Sequence, residues 1–435
     1  GYTEIAPVAA SGNNTLTLPN DGTIISKDAA GAVGVTSVVT TTATITTAKV
    51  GAAVTISESG IEASGIGITC ANINGTQIGG RRNLIINGAM QVAQRGTSST
   101  STGYVTIDRF NTDYGGENEA PTYEQGTVAS GTTPYTEGFR NTWKITNGDQ
   151  TGGAGASDYI FVRTKLEAQD LANSGWNYTS SSSFITLSFW VKSSVAQTFY
   201  GRLESVDGTS YNYPFSYSVS ADTWTKVVKT IPGNSNLQID NNNGSGMEFH
   251  WQVFRGTGFT SSDVNLNTWA TYASAQRTPD ATSTWWETND ATWELTGVQV
   301  EVGSQATAFE HRPFGEELLL CQRYYQVLGK GPNKYWGGTA ANYTATQLYL
   351  PIQFKTQMRS TPTLVFTTGT AYYQIYDSGN TGGVNVTRPQ DIRYADELGG
   401  SIHIGASYVS GLTAGDASLF YAYNSDAFIA VEAEL

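Results

Sequence analysis

Apolar and polar residues alternate in short runs along most of the chain, and this two-residue period is typical of a half-buried β-strand. The run FITLSFWVKSS at residues 184–194 has one apolar phase, made up of Ile185, Leu187, Phe189 and Val191. Two further runs, MEFHWQVF and ELTGVQVEVG, repeat the pattern with the in-phase residues Met247, Phe249, Trp251, Val253, Val298, Val300 and Val302. Turn-forming clusters such as DNNNGSG separate the runs. The pattern predicts antiparallel strands that each bury one face.

Residues 81–312 form the main predicted domain. They hold nine of the ten tryptophans, from Trp143 to Trp293, and almost no helical periodicity. Many short strands joined by polar turns favour an antiparallel jelly-roll β-sandwich over parallel βαβ units. We therefore expect an all-β protein.

One helix is predicted after this domain. Pro313 precedes GEELLLCQRYYQ, and Glu316 and Glu317 lie in a first turn where carboxylates complement the helix dipole. Period two then returns through Leu348, Leu350, Ile352 and Phe354. These signals predict a connector helix at 313–326 and a smaller C-terminal β domain at 327–435.

Residues 1–80 differ from the rest because they are rich in glycine and threonine and contain almost no aromatic residues. A faint five-residue spacing links Ile56, Ile61 and Ile66, and then Ile68, Ile73 and Ile78. A unit that cannot bury its own apolar residues becomes stable when copies stack or when several chains wind together. The region is predicted to be a β-rich fibrous stem that oligomerises, and the alternative is a disordered linker.

Composition narrows the classes of partner. Charged residues make up 14% of the chain, against about 25% in an ordinary soluble domain, and the formal net charge is −13. Nucleic acid is an unsuitable partner, because that affinity requires clustered Lys and Arg. No apolar run reaches the roughly 18 residues of a membrane helix, so we expect no membrane insertion. The two cysteines, Cys70 and Cys321, fall in different predicted regions and cannot form a disulfide framework.

Catalytic and metal-binding motifs are not apparent. His250, His311 and His403 lack companions at ligand spacing, which makes a zinc site improbable. No cofactor is predicted apart from a calcium ion, which remains a candidate because oxygen ligands abound, although no residue set stands out for it. A glycosidase stays open in principle, since it needs only two carboxylates that need not be close in sequence. We expect a protein that is not an enzyme.

Aromatic rings are the better indication of binding, because a flat ring stacks on the apolar face of a sugar while polar groups bind its hydroxyls. The segments SGWNYTSSSS and DATSTWWETND place Trp176, Tyr178, Trp285 and Trp286 in polar, loop-like surroundings. These four residues are the predicted ligand-binding candidates. The alternative is that they fill the ends of the sandwich or subunit contacts.

Two separated motifs carry a family resemblance. RRNLIINGAMQVAQRGTS, followed by YVTIDRF, resembles the start of a jelly-roll domain of tail fibres and related virion proteins of tailed phages, notably marine ones. GVQVEVGSQATAFEHRPFGEELLLCQRYYQ is similar to the closing strand, FEHR turn and onward helix of that domain, and MRSTPTLVF to the module that often follows. The anchors bracket residues 81 to about 366, whereas residues 111–180 carry no recognised motif.

The resemblance implies a fibre on the virion surface. Its expected state is a homotrimer whose N-terminal region contacts other virion proteins and whose β domains attach to host surface polysaccharide. The alternatives are a head-fibre, decoration or tail-assembly protein without a specific receptor and, less favoured, a tailspike glycosidase.

The first motif also has a structural interpretation. Leu84 and Ile86 are expected to face inward from a first strand that ends in a turn or bulge at Asn87-Gly88. The adjacent Asp108 and Arg109 are expected to act as a buried salt bridge or strand anchor.

Overall fold

The computed structural model describes residues 47–50, 54–57, 60–63, 82–332, 334–335, 338–378 and 383–435. The chain divides into two compact units, residues 1–70 and residues 71–435. The described residues form 26 strands and three short helices, so the predicted all-β class is confirmed.

The first unit contains a three-stranded antiparallel meander. Its strands are β1 (Thr47–Val50), β2 (Val54–Ser57) and β3 (Gly60–Ala63). Ile56 and Ile61, which belong to the predicted five-residue repeat, are register partners across the β2–β3 pair. The other isoleucines of that repeat and Cys70 lie outside the described residues, and the fibrous stem remains a prediction.

The second unit begins with a sandwich of twelve strands and two helices. The strands are β4 (Ser98–Ser99), β5 (Phe110–Gly115), β6 (Thr122–Thr127), β7 (Asn141–Thr146), β8 (Tyr159–Glu167), β9 (Phe184–Ser193), β10 (Gln197–Ser205), β11 (Tyr211–Val219), β12 (Thr225–Pro232), β13 (Ser245–Arg255), β14 (Ala270–Thr271) and β15 (Thr292–Val302). The helices are α1 (Thr133–Thr136) and α2 (Ala168–Ala172).

These strands form two six-stranded antiparallel sheets. One sheet has the order β14-β11-β10-β13-β8-β5, and the other has the order β12-β9-β15-β7-β6-β4. The chain passes repeatedly from one sheet to the other, for example from β8 to β9 to β10, and this crossing gives the sandwich its jelly-roll character. We refer to the first sheet as the cleft sheet, because its outer face carries the site described below.

The two sheets share one apolar core, as the alternating runs predicted. Ile185, Leu187, Phe189 and Val191 of β9 and Met247, Phe249, Trp251 and Val253 of β13 are all buried. Across the core, the rings of Phe189 and Trp251 meet edge to face with centroids 5.7 Å apart. The inward phases of both strands are therefore confirmed.

The first motif does not form the predicted strand. Residues 82–90 are irregular and end in a turn, in which Asn87 has a φ of 62° and the Met90 amide donates to the Asn87 carbonyl at 2.9 Å. Ile85 is the fully buried side chain, whereas Leu84 and Ile86 are half-buried, so the predicted inward phase is wrong. A Cβ on Gly88 would lie 2.0 Å from the Val298 carbonyl oxygen, which explains why a residue without a side chain occupies this turn.

The first motif, residues 81–98, and the second motif, residues 297–326, contact each other and connect the start of the sandwich domain with its end. The Glu310 carboxylate accepts hydrogen bonds from the backbone amides of Arg82 and Asn83 at 2.7 and 2.5 Å. The Arg312 guanidinium donates to the carbonyls of Asn83 and Ile85. The motif residues thus have a structural role, because they satisfy backbone groups of an irregular segment.

The predicted connector helix is present as α3 (Phe314–Gln322), with Glu316 and Glu317 in its first turn. Cys321 lies in this helix, is buried and forms no disulfide bond with a residue that the structure describes. The strands that follow are β16 (Tyr325–Lys330), β17 (Lys334–Tyr335), β18 (Ala340–Thr344), β19 (Gln347–Gln353), β20 (Thr363–Phe366), β21 (Tyr373–Asp377), β22 (Val384–Val386), β23 (Asp391–Arg393), β24 (Gly399–Ile404), β25 (Ala417–Ala422) and β26 (Phe428–Glu432). They build a three-stranded and an eight-stranded antiparallel sheet around a core of their own.

The predicted Asp108–Arg109 pair is buried, but each residue binds other partners. Asp108 accepts from the Gln94 backbone amide at 3.0 Å and lies 3.8 Å from an Arg95 nitrogen. Arg109 forms an ion pair with Glu434, just beyond β26, and donates to the Lys165 carbonyl at 2.9 Å. Arg109 therefore anchors the segment just beyond β26 to the sandwich, whereas Asp108 binds the segment at Gln94 and Arg95.

In the part of the chain that the structure describes, no helix has the length and apolar character needed to cross a membrane.

Candidate functional site

The tryptophans predicted to bind ligand are buried in the sandwich. Trp176 is 3% exposed, and Trp285 and Trp286 are 0% exposed. The Trp285 and Trp286 indole nitrogens donate to the Thr292 and Gly153 carbonyls, both at 3.0 Å. These rings have no free face for a sugar, so the expectation that they form an exposed stacking platform is wrong.

The polar surroundings of these tryptophans have a different purpose. The Asn147 amide donates to the carbonyls of Trp285 and Trp286, so a buried polar side chain satisfies the backbone at the two buried residues of an otherwise exposed loop. The Trp286 ring packs on Phe254 with centroids 4.9 Å apart. Tyr178 is half-buried and packs edge to face against Trp176 at 6.3 Å. The alternative interpretation, that these residues fill the end of the sandwich, describes the Trp285–Trp286 pair.

The outer face of the cleft sheet carries a different constellation, which follows from strand alternation. Because Phe249 and Trp251 of β13 point into the core, Glu248, His250 and Gln252 point outward. Register places Arg163 of β8 and Arg202 of β10 on either side of His250, and Lys165 and Glu204 on either side of Glu248. Two rows of charged side chains therefore cross three adjacent strands.

The loop after β13 forms one wall of a cleft above these two rows of side chains. Residues 256–278 follow β13 and include β14, which pairs with β11 and forms one edge of the cleft sheet. The Arg277 amide donates to the Phe259 carbonyl at 3.0 Å, and its Nε donates to the Tyr272 hydroxyl at 2.9 Å. The wall thus presents two aromatic rings and a guanidinium to the sheet.

The resulting cleft has a volume of about 420 Å³. Four aromatic residues line it, namely Tyr159, Phe161, Phe259 and Tyr272. The charged lining consists of Arg163, Arg202, Arg255, Arg277, Asp113, Glu204 and Glu248, with His250 at the centre. This combination of ring faces and hydrogen-bonding groups suits a polar ligand with apolar faces.

Glu248 is the best-satisfied carboxylate of the cleft. It accepts from His250 Nε2 at 2.9 Å, from Lys165 at 2.9 Å and from Arg163 at 3.2 Å. Burial alone would raise the pKa of Glu248, but the His250 hydrogen bond and the charges of Lys165 and Arg163 outweigh it and hold the pKa well below the usual range. Glu248 is therefore ionised at neutral pH.

His250 is fully enclosed beneath these groups. Burial, reinforced by the Arg202 charge, lowers the pKa of His250 well below its usual range, so the imidazole is neutral. A proton on Nε2 satisfies Glu248 and leaves Nδ1 to accept from Arg202 Nη2 at 3.4 Å. His250 thus links the two charged rows.

Glu204, Glu248 and His250 also bring three metal-ligating atoms within 4.8 Å of one another. A cation there would compete with positive side chains already in contact, because Glu204 pairs with Arg202 and Glu248 pairs with Arg163 and Lys165. Calcium prefers six to eight oxygen ligands, which this group does not offer. The arrangement is a compensated charge network, and the predicted calcium ion gains no site from it.

Two guanidiniums of the cleft differ from the others because no carboxylate pairs with them among the described residues. Arg255 is 4% exposed, and its Nε donates to Gln252. Burial, with the nearby Arg277 and Arg202 charges, lowers the pKa of Arg255 to about 9. The side chain still carries its charge at neutral pH, and no carboxylate among the described residues compensates it.

Aromatic rings hold these two guanidiniums in place. The Arg255 guanidinium carbon lies 4.6 Å from the centroid of the Phe161 ring and 5.3 Å from that of Phe259. Arg277 lies 4.8 Å from the same Phe259 centroid. Phe259 therefore positions both cations without neutralising either.

A second aromatic surface lies on the C-terminal β region. Tyr343 and Tyr394 are 71% and 84% exposed, and both rings contact Tyr349, with centroids 5.8 and 6.1 Å apart. Tyr394 has a φ of 52°, an uncommon conformation for a residue with a side chain. These two rings are exposed, whereas the cleft rings Tyr159, Phe161, Phe259 and Tyr272 are half-buried or buried.

Sequence reasoning did not identify the cleft. Its signal was present in MEFHWQVFRG, where Glu248, His250 and Gln252 form the polar phase opposite the buried one. The partners on β8 and β10 could not be assigned without the register, and the wall comes from a loop with no strand period.

Comparison with known proteins gives no family assignment. The sequence matches no protein-family model and no curated protein. Among solved structures, it is similar to the N-terminal CBM22-1–CBM22-2 tandem domain of Paenibacillus barcinonensis Xyn10C, with 9% identity, a TM-score of 0.26 and coverage of 84% of this chain and 100% of that one. The N-terminal cellulose-binding domain of Cellulomonas fimi β-1,4-glucanase C matches with 9% identity, a TM-score of 0.24 and coverage of 50% and 99%.

A family 30 carbohydrate binding module matches with 12% identity, a TM-score of 0.22 and coverage of 51% of this chain and 88% of that one. All these TM-scores are too low to support a conclusion about this chain, and its function has to be inferred from the cleft.

Proposed function

We propose that this chain is a glycan-binding fibre protein of a phage virion and that it binds host surface polysaccharide in the cleft of the jelly-roll domain. The observation that carries the binding role is the cleft itself, in which ring faces and hydrogen-bonding side chains converge around an open volume of about 420 Å³. A sugar ring offers apolar faces for stacking and hydroxyls for hydrogen bonds, and the cleft supplies partners for both.

The fibre assignment is supported by the two sequence motifs at residues 81–98 and 297–326. In the fold, these segments meet through Glu310 and Arg312, so the motifs belong to a single module. The expected homotrimer would present three clefts, and weak contacts with a repetitive polysaccharide would add through avidity. The N-terminal region would connect the module to the particle.

A binding role is favoured over glycoside hydrolysis by the state of the cleft carboxylates. An acid catalyst requires a raised pKa so that it is protonated at neutral pH. His250, Lys165 and Arg163 instead lower the pKa of Glu248. Glu204, the neighbouring carboxylate, is engaged by Arg202.

The proposal is tested by binding of the purified full chain to host cells and to a glycan array. Phe259→Ala removes a half-buried cleft ring, and we expect it to weaken binding about 10-fold, the order of one lost stacking contact. Tyr394→Ala is the matched control, since it removes an exposed ring outside the cleft.

Saturable binding that Phe259→Ala weakens and Tyr394→Ala retains would support the proposal. Equal loss in both variants would place binding outside the cleft. No binding by the unmodified chain would favour a structural virion protein without a receptor, and release of reducing sugars from a bound glycan would indicate a glycosidase.

A further inference from the structure

The cleft is locally cationic in a protein of opposite charge. The formal net charge of the chain is −13, yet the cleft lining has four arginines against three carboxylates. Only two of the four arginines have a carboxylate partner among the described residues: Arg163 binds Glu248, and Arg202 binds Glu204. Asp113, the third carboxylate, forms no ion pair with a described residue. The lining therefore has one positive charge in excess, and its two arginines without a carboxylate partner among the described residues are Arg255 and Arg277.

Burying a charge without a counterion is costly, so a buried and unpaired guanidinium indicates that a partner is missing. Arg255 is 4% exposed and lines the cleft. Its neighbour Arg277 has the same charge, and the proximity of the two adds to the cost. An anion placed between them would relieve both the desolvation and the repulsion.

The geometry favours an oxyanion. A guanidinium presents a planar fork of donors that matches two oxygens of a carboxylate or sulfate. Phe259 contacts both Arg255 and Arg277, and Phe161 contacts Arg255 from the sheet. Arg255 Nε donates to the Gln252 side chain and Arg277 Nε donates to the Tyr272 hydroxyl. The terminal nitrogens of both guanidiniums remain for a ligand.

We infer that the ligand of the cleft is an acidic polysaccharide, whose carboxylate or sulfate group forms ion pairs with Arg255 and Arg277 while its sugar ring lies along the aromatic wall. This inference rests on the proposed glycan-binding function and names its substrate class. A carboxylate and a sulfate on a sugar are both oxyanions, and two acidic polymers, one with each group, distinguish between them.

The test is the affinity of the full chain for three soluble polysaccharides, measured by titration calorimetry. Polygalacturonate supplies carboxylates, carrageenan supplies sulfates and dextran is neutral. We expect binding to at least one of the acidic polymers, weakened by 0.5 M NaCl, and none to dextran. Whichever acidic polymer binds more tightly identifies the group that the cleft recognises.

Variants assign the effect to the two arginines. Arg255→Gln and Arg277→Gln are each expected to weaken binding about 30-fold or more, as for loss of one partner of a desolvated ion pair. Arg140→Gln is the matched control, because Arg140 is an exposed arginine outside the cleft. Arg277 is only half-buried, so its variant keeps the test decisive should Arg255→Gln fail to fold.

The possible results distinguish failure of the acidic-ligand inference from failure of the proposed glycan-binding function. Tight binding to dextran that Phe259→Ala abolishes would overturn the acidic ligand and leave glycan binding intact. Acidic-polymer binding that Arg277→Gln and Arg140→Gln reduce equally would also overturn the inference, since it would reflect general surface charge. If the chain bound none of the three polymers, no host cells and no glycan on an array, both the acidic-ligand inference and the proposed glycan-binding function would be contradicted.

Discussion

The ion pair between Arg109 and Glu434 is expected to dominate the attachment of the C-terminal residues to the sandwich. Arg109 is buried, its guanidinium carbon lies 3.4 Å from the centroid of the Tyr324 ring, and its charge is compensated by Glu434. Glu434→Gln removes the compensating charge and leaves the guanidinium enclosed. Breaking a buried ion pair on one side costs about 3–5 kcal/mol.

The lower half of that range applies here. After the substitution Arg109 still donates to the Lys165 carbonyl at 2.9 Å, and Arg95 still has Glu432 at 3.3 Å. We therefore expect a loss of about 3 kcal/mol in the free energy of unfolding. Replacing both partners, as in Arg109→Met with Glu434→Gln, removes the uncompensated charge and is expected to recover about 2 kcal/mol of that loss.

Urea denaturation followed by tryptophan fluorescence measures these differences, and hydrogen exchange of β26 amides locates them. Glu432→Gln is the matched control, since this carboxylate is 34% exposed and its partner Arg95 keeps Glu434 at 3.0 Å and Asp108 at 3.8 Å. It should cost less than about 1 kcal/mol. If Glu434→Gln destabilised the protein no more than Glu432→Gln, the assignment of Arg109 as a buried anchor would be wrong.

Two further predictions concern other buried groups of the sandwich. Trp285→Ala should lower the free energy of unfolding by about 3–5 kcal/mol, measured by urea denaturation, and leave the glycan affinity of the folded fraction unchanged, because the ring is core and not cleft. A large drop in affinity with normal stability would contradict this placement. Burial raises the pKa of Asp108 to about 6, more than Arg95 and Gln94 lower it, so the folded protein binds this proton more tightly than the unfolded chain does. Protonation of Asp108 therefore stabilises the folded protein by roughly 3 kcal/mol below about pH 4, and this stabilisation is lost as the pH rises towards 6. The difference in the free energy of unfolding between the protein and Asp108→Asn should change over that pH window. A constant difference would count against the raised pKa.

Strand prediction succeeded where apolar and polar residue types alternate regularly, although β9 and β13 bury nearly every residue on both faces and not one face only. The inward phases of β9 and β13 follow from sequence because both strands lie in the middle of a sheet with one face on the core. Residues 82–90 were misassigned because side chains far along the chain, Glu310 and Arg312, bind much of their backbone. Two backbone hydrogen bonds also join the segment to β15, from the Leu84 amide to the Val300 carbonyl and from the Val298 amide to the Gly88 carbonyl, but the segment is not a strand. The turn at Asn87-Gly88 was correctly predicted, since it depends on local backbone conformation.

The predicted exposure of Trp176, Trp285 and Trp286 was wrong because polar neighbours do not imply exposure. Around Trp285 and Trp286, the amide of Asn147 hydrogen bonds to backbone carbonyls inside the fold. The cleft could not be predicted because its residues, from Asp113 to Arg277, converge only through strand register and a folded loop. Composition also concealed it, since a net charge of −13 gives no sign of two unpaired arginines.

The most direct test of the account is a crystal structure of the full chain with an acidic oligosaccharide cut from the polymer that binds best. The account predicts a sugar in the cleft, with its oxyanion in contact with Arg255 and Arg277 and its ring against Phe259. An oligosaccharide bound instead at the exposed tyrosines of the C-terminal region, with the cleft empty, would contradict it.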